Sequence, residues 1–180
     1  PDQMQRGKFH CDKFKTRVIA ALENSEEVLS VAWSPDGTKL ATGSPDKTAR
    51  IWSASGADPS TWRTVAKLEG DMDTVLSVAW SPDGTKVATG SQDKTARIWR
   101  LADGALVRTL EGHTGDICCL TMCGELLISG SDDLTIKVWS TASWSCERTL
   151  EGHTRNLNAL VVGGDKLVSG SDDNTIRVWS

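Results

Sequence analysis

Several features that would point to a particular chemistry are missing from this sequence. It has no run of 18 apolar residues, so nothing in it reads as a membrane-spanning helix. Its first residues, PDQMQRGKFHCDKFK, lack the apolar stretch of a secretory signal. Positive charge is not in excess: the 180 residues carry a net charge of −4, which gives no reason to expect a nucleic-acid partner. The five cysteines, Cys11, Cys118, Cys119, Cys123 and Cys146, are odd in number and unevenly spread. They argue against a disulfide framework and for a reducing, intracellular compartment, cytoplasmic or nuclear. The CCxxxC spacing from Cys118 lacks the paired CxxC knuckles of structural zinc, so packing is the better account of it and no metal or cofactor is expected. Neither a nucleophile elbow (GxSxG) nor a phosphate loop (GxxxxGK[ST]) is present.

What the sequence does contain is one phrase said four times. Asp46–Trp52 and Asp93–Trp99 both read DKTARIW, Asp133–Trp139 reads DLTIKVW, and Asp173–Trp179 reads DNTIRVW. The tryptophans are separated by 47, 40 and 40 residues, a period that signals a repeat architecture. Within each copy, apolar and polar residues alternate and β-branched residues abound, which predicts a strand with one buried face. Upstream, KLATGS and KVATGS read as a second strand, and VLSVAW, present twice, as a first. The link SPDGT between them joins a φ-fixing Pro, a backbone-bonding Asp and a Gly free to take positive φ, the chemistry of a hairpin turn. A fourth strand is predicted over 64–68, 105–110 and 146–150. Each repeat is thus about four short antiparallel strands, the size of a propeller blade.

The pattern Gly-His, Ser-Gly-Ser, then Asp-x-Thr-Ile-Arg-Val-Trp resembles the WD-repeat, or β-transducin-like, propeller family. The resemblance covers 16–180, with repeats at about 24–68, 71–110, 113–150 and 153–180. The Asp that commonly follows the Trp is replaced by Ser53, Arg100, Ser140 and Ser180. The Gly-His pair survives as Gly112-His113 and Gly152-His153, while Asn24 and Asp71 fall at the other two His positions. The expected fold is all-β: a propeller of four-stranded antiparallel blades. Residues 1–15 fit no repeat and form an irregular basic segment. Residues 16–22 (TRVIAAL) are placed as a fourth strand of a preceding or closing blade. The family commonly has seven blades, so four repeats lead us to expect part of a larger propeller, one that needs further blades or a second chain to close its ring.

The resemblance also implies a buried network in each blade. The Trp indole donates to a second-strand hydroxyl, which meets the His, which bonds the turn Asp. Burying a Trp removes roughly 150–250 Å² from water, but its N–H must find a partner. By position the network residues are Trp52, Thr42, Asp46 and Asn24; Trp99, Thr89, Asp93 and Asp71; Trp139, Ser129, His113 and Asp133; Trp179, Ser169, His153 and Asp173. Asp71 would face Asp93, two carboxylates that resist ionising together, so it is expected to turn to solvent or to weaken its blade. The Ser-His-Asp trio invites a catalytic reading. It occurs twice, each time beside a Trp that needs an acceptor, whereas an active site is one constellation in a cleft, so no catalysis is expected.

The function that the resemblance implies is a non-catalytic scaffold or adaptor for other proteins. Two alternatives remain: the substrate-recognition module of a ubiquitin-ligase complex, or the targeting domain of an enzyme. In the family, partners dock on the face formed by the loops that enter the first strand and those between second and third strands. Here those loops hold Glu26, Glu27, Asp73, Asp116, Asp132 and Asp172 against Arg155. That is either a plain solvated surface or an acidic platform for a basic segment of a partner. Clustered Arg, which a phosphopeptide pocket would need, is missing.

Overall fold

A computed structural model of the chain describes residues 21–55 and 58–180. The segment 1–15, and the strand expected over 16–22 except for its last two residues, lie outside the described residues. The described residues form four antiparallel sheets, each built from one repeat. The first blade holds β1 (Ser30–Trp33), β2 (Lys39–Gly43), β3 (Thr48–Ser53) and β4 (Arg63–Glu69). The second holds β5 (Val75–Trp80), β6 (Lys86–Ser91), β7 (Ala96–Arg100) and β8 (Leu106–Leu110). The third holds β9 (Ile117–Cys123), β10 (Leu126–Ser131), β11 (Ile136–Ser140) and β12 (Cys146–Leu150). In the fourth, β13 (Leu157–Gly163), β14 (Lys166–Ser171) and β15 (Ile176–Trp179) are paired in that order. The fold is all-β, as the repeats led us to expect.

The turns explain why these strands start and stop where they do. In the first hairpin, Asp36 accepts from the Ser34 hydroxyl (2.6 Å) and from the Thr38 amide (3.0 Å), and Gly37 takes φ 69°. Asp83 and Gly84 repeat the arrangement in the second blade. The turn between second and third strands is held more tightly. In the third blade, Asp133 Oδ1 accepts from both the amide (2.9 Å) and the hydroxyl (2.7 Å) of Thr135, and the Asp133 amide donates to Ser131 Oγ. These bonds force the intervening residue into the left-handed region, although Lys47, Lys94, Leu134 and Asn174 are not glycine. Among its described residues, the long third loop of the first repeat contains a 3₁₀ turn, Pro59–Thr61, which the repeat pattern did not foretell. Asp58 caps it, and Trp62 just beyond packs edge-on against Trp33, with ring centroids 5.7 Å apart.

The blades pack in series through their innermost strands, β1 on β5, β5 on β9 and β9 on β13. At the first joint Ala41, Ala49, Ile51 and Leu68 meet Val75, Val78, Trp80 and Trp99. The second joins Ala88, Ala96, Ile98 and Leu110 to Ile117, Leu120 and Trp139. The third joins Ile128, Ile136 and Val138 to Leu157 and Leu167. Each fully buried Ile or Leu here contributes roughly 1.5–3 kcal/mol. First-strand serines cross the joints: Ser30 Oγ accepts from the Val78 amide (3.1 Å) and Ser77 Oγ from the Leu120 amide (3.0 Å). The sheets do not close into a ring among the described residues.

Candidate functional site

In the third blade the side chains form one directed chain of hydrogen bonds. Trp139 Nε1 donates to Ser129 Oγ at 2.9 Å, Ser129 Oγ lies 2.8 Å from His113 Nε2, and His113 Nδ1 lies 2.7 Å from Asp133 Oδ2. The indole can only donate, so Ser129 must pass its own proton to Nε2, and His113 carries its proton on Nδ1. Burial pushes the His113 pKa down, against the pull of Asp133, which keeps the ring neutral. Burial opposes ionisation of Asp133, but Thr135, the Thr114 amide and His113 together hold it at about 2. The fourth blade repeats the distances, 2.9, 2.8 and 2.7 Å, through Trp179, Ser169, His153 and Asp173. Ser129 has no solvent-exposed surface and its oxygen already receives the indole proton, so it cannot reach a substrate.

The two blades without His arrange the same positions differently. Trp99 Nε1 donates to Thr89 Oγ1 at 3.0 Å, and Thr89 donates to Asp71 Oδ1 at 3.3 Å. Asp71 neither turns to solvent nor meets Asp93 directly, as the sequence suggested it would have to choose between solvent and a weakened blade. Its side chain is wholly buried, and Arg97 Nη1 lies between the carboxylates, 2.8 Å from Asp71 and 2.6 Å from Asp93. A third acceptor, Thr95 Oγ1, stands 2.7 Å from the same nitrogen, which has only two hydrogens to give. Among the described residues, Asp71 Oδ2 has no hydrogen-bond partner. Burial pushes the Asp71 carboxyl up to about 6, and Arg97 only partly offsets it. In the first blade Trp52 Nε1 donates to Thr42 Oγ1 (3.0 Å) and Arg50 Nη1 to Asp46 (2.6 Å). Asn24 does not take the His place in that relay: its amide oxygen accepts from Arg50 and its nitrogen donates to Glu26 O. An amide is too short to span from Thr42 to Asp46, and the guanidinium reaches the Asp instead.

Arg50 and Arg97 are therefore network residues that the sequence reading missed. Every repeat carries a basic residue two positions before the Trp. In the His-containing blades it lies outside the network: Lys137 Nζ donates to Thr149, and the Arg177 guanidinium lies beside Gly152. A missing His coupled to an Arg at that place was the available signal.

The loop face brings several of the expected acidic residues together. The backbone ties each entering loop to its neighbouring turn, through Asp132 N to Asp116 O (2.9 Å) and Asp172 N to Asn156 O (3.0 Å). Burial and the charges of Asp132 and Asp73 push the Asp116 pKa up, while Lys94 opposes them. Cys118 Sγ donates to Asp132 Oδ1 at 3.0 Å, and burial pushes its thiol pKa upward, so it is no reactive thiolate. Asp172 accepts from Asn158 at 2.5 Å. Arg155 is exposed, and its carbonyl accepts from Ser171 Oγ. Glu26 and Glu27 are exposed on the first blade.

Four segments, 16–53, 62–100, 104–140 and 144–180, match the family model described as "WD domain, G-beta repeat". Among curated proteins, the chain is similar to a probable cytosolic iron-sulfur protein assembly protein, the CIAO1 homolog of Chlamydomonas reinhardtii. The two are 45% identical over 60 residues, 32% of this chain and 17% of that protein. It is also similar to nucleoporin SEH1-B of Xenopus laevis, 35% identical over 60 residues, 33% of this chain and 16% of that protein. These matches thus span about a sixth of the relatives' length.

Proposed function

The chain belongs to the WD domain, G-beta repeat family, and we propose that it serves as a non-catalytic platform whose loop face docks a Lys/Arg-rich segment of a partner protein. The observation that carries this reading is the gathering of Asp73 and Asp132 around Asp116, with Lys94 the opposing cation in that group. Such a field draws in a basic segment and raises its association rate, an effect that salt weakens. The relatives named above fit the broad role, since one is an assembly protein and the other a nucleoporin by name. Buried hydrogen bonds in each blade hold the loops on a stiff frame, so the charges stay where they are. An intracellular site of action agrees with these names and with the unpaired thiols Cys118, Cys119, Cys123 and Cys146.

The test uses an immobilised oligolysine peptide, with a phosphoserine peptide as the contrast. The chain is expected to bind the oligolysine, more weakly as salt rises, and to ignore the phosphopeptide. The double substitution Asp116→Lys, Asp132→Lys should slow association about tenfold or more. Unchanged association, or capture of the phosphopeptide, would refute the acidic-face reading.

A further inference from the structure

Each blade joint is a knob seated in a slot, and the slot is made by a second-strand glycine. At Gly43, an added Cβ would lie 2.8 Å from Val75 Cγ1 and 3.2 Å from Val78 Cγ1. At Gly90 it would lie 2.7 Å from Ile117 Cγ2, and at Gly130 3.3 Å from Leu157. Only a residue without a side chain allows the next blade's first strand to come so close. The fourth blade has the same slot at Gly170, and there a Cβ would meet only Ala159, at 3.9 Å. The slot opens into a shallow apolar groove of about 220 Å³ whose walls include Val161, Val168 and Ile176.

The first blade carries the matching knob. Val28 occupies the place of Val75, Ile117 and Leu157, all of which are 0% exposed, yet Val28 itself is 44% exposed. Val31 and Trp33 stand where Val78 and Trp80 are buried, and are 63% and 53% exposed. Opposite them, Val178 takes the place of the buried Ile51, Ile98 and Val138, and is 65% exposed. Apart from the fourth-strand Leu that the internal joints add (Leu68, Leu110), the fourth blade thus presents the second- and third-strand surface that every internal joint offers to its successor, and the first presents the surface that every joint receives. An exposed apolar surface of this kind marks a contact site.

We infer that a second copy of this chain closes the arc, with the Gly170 slot of each copy receiving Val28 of the other. Two different faces meet at each contact, so the contact is heterologous, and the ring closes when two copies supply eight blades and two equal joints. The three joints inside the chain are the template for the two between copies. The inference does not depend on the acidic face, since Asp116 and Asp132 take no part in either end surface.

Light scattering of the 180-residue chain tests it. The expected mass is twice the 19.4 kDa of one chain. Gly170→Val fills the slot without touching the interior of its own blade, and Val31→Asp places a charge on the opposite face. Each should give a 19.4 kDa particle that keeps its β-sheet circular dichroism. A wild-type monomer, any stoichiometry other than two, or a dimer that survives either substitution would overturn the inference; a dimer made by one face alone would survive one of them.

Discussion

Replacing Asp71 by Asn should change how the stability of the protein depends on pH. Asp71 is a buried carboxyl whose pKa rises from 3.8 to about 6. Between those values the folded protein keeps a proton that the unfolded chain has lost. Its contribution to stability is therefore greatest at low pH and falls as pH rises towards and past 6. A shift of about two units corresponds to about 3 kcal/mol in all, of which about 2 kcal/mol falls between pH 4.5 and 7.5. Asn cannot titrate. It keeps an oxygen for Thr89 and Arg97, but it places an amide N–H₂ where Oδ2 has no partner. That orphan costs about 1–3 kcal/mol at every pH. The absolute sign at low pH is thus unfavourable, and the decisive quantity is the slope. Asp46 and Asp133, whose pKa values are held low, push stability the opposite way with pH, but they do so equally in both proteins and cancel in the difference. Urea unfolding followed by tryptophan fluorescence at about pH 4.5 and 7.5 would measure it. Asp71→Asn should gain about 2 kcal/mol on the wild type over that interval. Parallel pH profiles would mean that Arg97 neutralises Asp71 fully and that the bridged arrangement is a good ion pair.

Two further outcomes follow from backbone geometry. Leu134 sits at φ 73° in a turn where the fourth blade has Asn174 at 65°, so Leu134→Asn should stabilise by about 1 kcal/mol; an unchanged urea midpoint would show that the Leu side chain gains as much from packing as it loses in strain. Gly90→Ala should destabilise by about 1–3 kcal/mol because Ile117 must move, whereas Gly170→Ala, compared on the monomeric Val31→Asp background where nothing fills its slot, should leave the fold's stability nearly unchanged, and equal losses at the two sites on that background would contradict the slot description.

The sequence made the blades legible because every repeat states its elements in the same order. The strands β5, β6 and β12 fall where the patterns VLSVAW, KVATGS and Cys146–Leu150 placed them. The first strand of the first blade begins later, at Ser30 rather than Val28. Two of the four networks were legible through the family resemblance, since Trp, Ser, His and Asp keep the same offsets in both His-containing repeats. The other two were not, because the residue that reorganises them is an Arg that also reads as an ordinary polar residue on the solvent face of a strand. Pro59–Thr61 escaped notice because it lies in the loop that departs from the repeat.

The four copies act as controls for one another. The third-strand Trp and its hydroxyl acceptor are the same in all blades, so the indole bond does not explain how the blades differ. What differs is how the turn Asp is held. A His spans from the hydroxyl to it in two blades, bonded at both ring nitrogens. In the other two an Arg reaches it directly, and in the second blade this traps an uncompensated carboxylate oxygen at Asp71. A buried ion pair of this kind is a poor source of stability, because desolvation cancels much of the attraction. Asp71→His would ask Arg97 to leave as Lys137 has left, and would let the imidazole span Thr89 and Asp93. If the His relay is the better solution, that variant gains about 1 kcal/mol for the completed hydrogen bond and loses the pH dependence that belongs to Asp71.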